Sequence, residues 1–177
     1  MPRFCFKTKK RSFGERTAVD PEGVVIVEGL HALNPAITDP LCDETMKKYY
    51  VSVSSRITDG NEVLFSKRDL RFIRRMIRDF YHRNSDVEYT CYLWKGVRMG
   101  EDRYLFPFSG LADRKIDSIH PYEVALFKNI AVTLLDRVDK SSIYYENADE
   151  LKKKLSRFGS IERERLPKDS LLNEFVG

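Results

Sequence analysis

The chain has 177 residues, of which 42% are hydrophobic and 33% charged, and its 31 cations against 27 anions leave a formal net charge of +4. This length suits a single domain spanning 1–177 that buries roughly 70% of its unfolded surface, and 21 aromatic residues exclude wholesale disorder. No apolar run approaches the roughly 18 residues of a membrane span and no secretory apolar segment opens the chain, while Cys5, Cys42 and Cys91 form no CxxC pair, so a cytoplasmic protein with reduced thiols is expected.

In chain order, VVIVE (24–28) is a β-branched run closed by Glu28-Gly29, which predicts a strand buried on both faces, as in a parallel sheet. A short helix is expected from Asp39 to about Lys47, and KYYVSVSS (48–55) predicts a second strand. RITDGNEVLF follows as a polar loop with an Asp59-Gly60 turn. After the arginine-rich segment 66–84 come a helix near Asp86–Trp94, then a region from 96 to 117 mixing loop with a short strand around Ala112–Ile116. Pro121 opens an amphipathic helix, SSIYYE (141–146) reads as a weak strand, and ADELKKKLSRF (148–158) as a short helix. Alternating strands and helices predict an α/β fold with a mostly parallel sheet and flanking helices.

The segment SKRDLRFIRRMIRDFYHRN (66–84) is the most unusual. At 100° per residue, Lys67, Arg68, Arg71, Arg74, Arg75 and Arg78 fall within about 120° of one another. Leu70, Ile73, Ile77, Phe80 and Tyr81 form a separate apolar stripe suited to a core, while Ser66 and Asp69 supply an N-cap and a first-turn carboxylate. Like charges at this spacing repel, so an anion-binding face is favoured over a merely solvated one. Residues 67–83 carry seven cations and two anions, KTKKR (7–11) adds four cations, and the remainder sums to about −5. Positive charge concentrated at two spots fits a localised phosphate site better than a polynucleotide track.

Other chemistry is sparse. Glu28, ending a predicted strand, is placed where α/β sheets bind ligands and could hold Mg²⁺, although buried strands also end in carboxylates for solvation alone. His31, His82 and His120 show no metal-ligand spacing. Phe4, Phe6, Tyr49 and Tyr50 suit a core better than base stacking. The sequence contains no GxxxxGK[ST] phosphate loop.

Taken in order, FCFKTKKRS, VVIVEGLHALNP, RFIRRMIRDFYHR, WKGVRMGEDRYLFPF and PYEVALFKN resemble the uridine kinase branch of the phosphoribulokinase/uridine kinase family, over nearly the whole chain. The resemblance implies a P-loop kinase fold with a parallel sheet and an arginine-rich lid helix, the lid occupying about 56–104. It implies transfer of the γ-phosphoryl group of ATP, with Mg²⁺, to the 5′-hydroxyl of uridine or cytidine. By the same likeness Arg78 and Arg83 would act in catalysis and, with Arg74, grip the ATP phosphates. Arg75, Phe4 and Lys9 would face the nucleoside, and Glu28 would be the metal carboxylate. The family's first strands, P-loop and base Asp precede the segment that Phe4 matches, so the chain is expected to be either the C-terminal two-thirds of such a kinase or a short, degenerate member, inactive by itself. Phe4 and Lys9 stand where uridine kinases often have Tyr and His, Ser85 replaces an arginine, and GVRMGEDR carries Met99 where an arginine is usual. The other reading is a non-catalytic module binding nucleotide or RNA phosphates. An incomplete sheet also predicts self-association through an exposed edge.

Overall fold

The computed structural model describes residues 3–5, 8, 10–14, 18–39 and 45–176. Among these, the order is β1 (Arg3–Cys5), β2 (Lys10–Ser12), α1 (Pro35–Thr38), β3 (Tyr49–Ser52), β4 (Ile57–Asp59), β5 (Glu62–Phe65), α2 (Lys67–Arg83), α3 (Val87–Tyr104), β6 (Arg114–Asp117), α4 (Glu123–Leu135), α5 (Tyr145–Ser156) and α6 (Asn173–Val176). The fold is mixed α/β, as expected, but the mostly parallel sheet is not. Among the described residues there are three two-stranded sheets, of which β3–β6 is parallel and the other two antiparallel.

The core is helical. From α2, Leu70, Ile73, Met76 and Ile77 are buried against Val124, Phe127, Ala131 and Leu134 of α4, with Leu155 of α5 and Phe175 of α6 closing the cluster. Phe65 at the end of β5 is fully buried and meets Phe158 edge-on, with ring centroids 5.7 Å apart. Burying aromatic and branched side chains at roughly 25 cal/mol per Å² is the main favourable term here. The span 56–104 expected as a lid is therefore continuous with the core, because α2 packs on α3, α4 and α6.

Local chemistry sets the element ends. Ser66 and Asp69 form a capping box: the Ser66 hydroxyl accepts from the Asp69 amide at 3.2 Å and the Asp69 carboxylate accepts from the Ser66 amide at 2.9 Å. Asn84 ends α2 in the left-handed region at φ 53°, which its short polar side chain tolerates. The polar loop expected at 56–65 is instead a hairpin, β4–β5, turning at Gly60, whose φ of +56° suits glycine. Arg157 clamps it from the end of α5, donating to Asp59 and Glu62 at 2.6 Å each.

Several sequence expectations are corrected. Val24–Glu28 forms no strand and is exposed, Val24 at 88% and Ile26 at 87%. A β-branched run favours a strand only where a neighbour supplies hydrogen bonds, and among the described residues none pairs with it. The expected helix near Asp86–Trp94 runs on to Tyr104, through residues read as loop, because Gly96 and Gly100 are tolerated once flanking turns pack. SSIYYE is a turn leading into α5 rather than a strand. Of the predicted apolar stripe, Phe80 is half-buried and Tyr81 is exposed, since the core ends before the last turn of α2. Most of the helix expected at 39–47 lies outside the described residues, with α1 just before it.

The parallel pair β3–β6 is held at both ends by side chains. Asp113 accepts from the Lys48 amide at 2.7 Å, while Asp117 accepts from the amides of Ser54 (3.0 Å) and Ile119 (3.1 Å) and from the Ser55 hydroxyl. Cys91 is not disulfide-bonded, and no helix among the described residues is long and apolar enough to cross a membrane.

Candidate functional site

The arginines of α2 divide by their partners. Toward its N-terminus, Arg68 pairs with Asp102 at 3.0 Å and Arg71 with Glu101, both acids on α3, and the Arg71 guanidinium and Lys67 ammonium lie 5.7 and 5.6 Å from the centre of the Phe106 ring. Glu101 is pushed above the usual carboxylate range by burial, which outweighs the opposing pull of Arg71. These pairs hold α2 and α3 together as an antiparallel hairpin.

Arg74, only 7% exposed, is enclosed by the fold. It pairs with the fully buried Glu123 at the start of α4, donates to the Ser118 carbonyl at 2.7 Å and to the Ser118 hydroxyl at 3.3 Å, and stacks over Phe175. Glu123 also accepts from the His120 amide at 3.2 Å. A buried charge pair supported by further hydrogen bonds is a structural joint, and removing one partner strands the other.

The C-terminal half differs. Asp79 is 2% exposed and serves two guanidiniums: Arg83 donates to one oxygen at 2.9 Å, and Arg75 Nε lies 3.1 Å from the other, off the hydrogen-bond direction. Arg78 pairs with the half-exposed Glu174 at 3.0 Å, lies 5.8 Å from the Phe175 ring centre, and has a buried Nε with no hydrogen-bond partner. Arg75, Arg78 and Arg83 thus share one neighbourhood with the Asp79 and Glu174 carboxylates. Arg83 titrates below the usual arginine value, chiefly through burial and then through repulsion from Arg78, with Asp79 opposing and Arg75 adding to it. It stays protonated, so the repulsion among these guanidiniums is one that a bound anion would relieve. The Arg78–Glu174 pair is exposed enough to contribute under about 1 kcal/mol, so a polyanion can displace the Glu174 carboxylate.

Of the residues expected to act, the structure brings together Arg75, Arg78 and Arg83. Arg74 is built into the α2–α4 joint instead. Phe4 lies half-exposed in β1, opposite Arg11 of β2. Lys9 lies outside the described residues. Glu28 is exposed in a stretch without regular secondary structure rather than at a strand end, and among the described residues no group of three or more His, Cys, Asp or Glu is placed to hold a metal. The partners Glu101, Asp102, Glu123 and Glu174 were not foreseen, because they come from α3, α4 and α6. Asp79 could have been, since it stands four residues from both Arg75 and Arg83. In comparison with known proteins, no family model, no curated protein and no solved structure matches this chain.

Proposed function

We propose that the chain is the arginine-helix and C-terminal part of an ATP-dependent nucleoside kinase resembling uridine kinases, in which Arg75, Arg78 and Arg83 receive nucleotide phosphates. The observation that carries this reading is the clustering of the Arg75, Arg78 and Arg83 guanidiniums near the buried carboxylate Asp79, where Arg78 and Arg75 both lower the Arg83 pKa by repulsion. Guanidinium forks meet phosphate oxygens bidentately and keep their charge at any working pH. In phosphoryl transfer the protein mainly positions reactants and neutralises charge on the equatorial oxygens. Arg78 and Arg83 would supply that neutralisation, and Arg75 would lie toward the nucleoside. Glu28, an exposed carboxylate, would hold the Mg²⁺, which would supply further neutralisation of phosphate charge. Nucleoside and ATP are the partners in this reading, with a cytoplasmic setting and self-association through the exposed 24–27 run.

Because the sequence has no GxxxxGK[ST] loop, the chain by itself binds phosphate without turnover. The test is phosphoryl transfer from Mg·ATP to uridine or cytidine, with and without an added segment carrying a P-loop. Turnover only with the segment supports the reading, and turnover by the chain alone refutes the dependence on a P-loop. Silence in both, joined to RNA binding that weakens steeply with salt, supports the non-catalytic phosphate-binding alternative.

A further inference from the structure

A cavity of about 570 Å³ lies between α2, α3 and α5 and shares no residue with the Arg75–Arg78–Arg83 cluster. This volume is within the range of small-molecule sites. One wall is aromatic: Phe72 and Trp94 meet with ring centroids 5.5 Å apart, and Tyr144 faces the same space together with Leu135, Leu151 and Met99.

Its charged lining is unevenly matched. Asp69 is engaged in the Ser66 capping box near a helix N-terminus, Asp102 is neutralised by Arg68, and Glu150 pairs with Lys154 at 2.7 Å. That leaves Lys95 and Arg98, one turn apart on α3, as exposed cations for which the described residues provide no carboxylate. Cys91, one turn before Lys95, also lines the cavity, and its thiol is pushed up to about 11, first by burial and then by Glu88 and Asp86. The Cys91 end is therefore half-buried and bordered by acids, and the Lys95–Arg98 end is cationic.

We infer that this cavity is a binding site for a planar aromatic anion, its ring lying against Phe72 and Trp94 and its negative group meeting Lys95 and Arg98. Rings stack on aromatic faces and a guanidinium grips a carboxylate or phosphate, so both halves of the ligand find a partner. A ringless anion would lack the wall, and a neutral ring would leave the cations unmet.

The experiment is calorimetric titration of the full chain with 2-naphthoate, 2-naphthol and inorganic phosphate, alongside the rate at which iodoacetamide alkylates Cys91. The expected result is one site for 2-naphthoate, about tenfold weaker binding of 2-naphthol, no saturable phosphate binding at this site, and slower Cys91 alkylation with 2-naphthoate present. The exposed substitutions Lys95→Gln and Arg98→Gln together should weaken 2-naphthoate about tenfold while leaving 2-naphthol unchanged. Equal affinity for 2-naphthoate and 2-naphthol, or no response to the double substitution, overturns the anionic half. Absent Cys91 protection places any binding elsewhere and overturns the site. Arg78→Gln must leave 2-naphthoate binding unaltered, which keeps this test separate from the phosphate reading.

Discussion

The arginine helix and the run Val24–Val27 reverse what their compositions suggest. The segment with seven cations in 67–83 lies at the centre of the core, and the most apolar run of the N-terminal part lies in solvent. In α2 each arginine meets a carboxylate or an aromatic ring, and the leucine and isoleucine stripe between them meets α4. Val24–Val27 has apolar surface but, among the described residues, no strand to pair with. Burial is decided by available partners, not by hydrophobicity alone, because an unpaired strand leaves its backbone groups to water and gains little from its side chains.

The sharpest way to break this contrast is Arg74→Ala, which leaves Glu123 buried and unpaired. It should destabilise by about 3–5 kcal/mol in urea unfolding, and a loss under 1 kcal/mol would mean the joint is not the buried pair described. Next, Ile77→Ala should cost about 2–5 kcal/mol, whereas Ile26→Ala, removing an equally apolar side chain, should stay within about 0.5 kcal/mol of the parent. Equal effects at the two sites would erase the distinction between the regions. Replacing Ser66 by Ala removes the cap of α2 and should cost about 1 kcal/mol, visible as a lower midpoint with unchanged slope. Ile26→Lys should leave stability almost unchanged but lower any concentration-dependent association seen by sedimentation, since it charges an exposed apolar run.

The smallest effect concerns pH. Burial acts to raise the Asp117 carboxyl, but donors from Ser54, Ser55 and Ile119 outweigh it and hold the group below its usual value. A carboxyl with a depressed folded pKa contributes stability that is present above its unfolded pKa of about 3.9 and fades as pH falls through the lower folded value. Asp117→Asn should therefore flatten part of the acid limb of the stability curve below about pH 4. An acid limb identical to the parent's would show that Asp117 does not anchor β3–β6.

The α2 helix is legible in the sequence: its apolar period, its Ser66–Asp69 cap and its length all follow from side chains a few residues apart. The same holds for α4 and α5, whose faces repeat at the helical period. The candidate site was legible only in part. That Arg75, Arg78 and Arg83 lie near one another follows from helix geometry, and Asp79 from its four-residue spacing. That Arg74 is locked to Glu123, that Glu174 shields Arg78, and that Phe72 and Trp94 wall a cavity depends on helices from distant parts of the chain.

Local periodicity and capping are short-range properties, so the sequence by itself determined the helices and the clustering of positive charge. Which arginines stay available, which apolar run is covered and where a cavity opens were decided by tertiary packing. Each of those depends on the free energy of a contact between residues tens of positions apart, and no short stretch of sequence contains both partners.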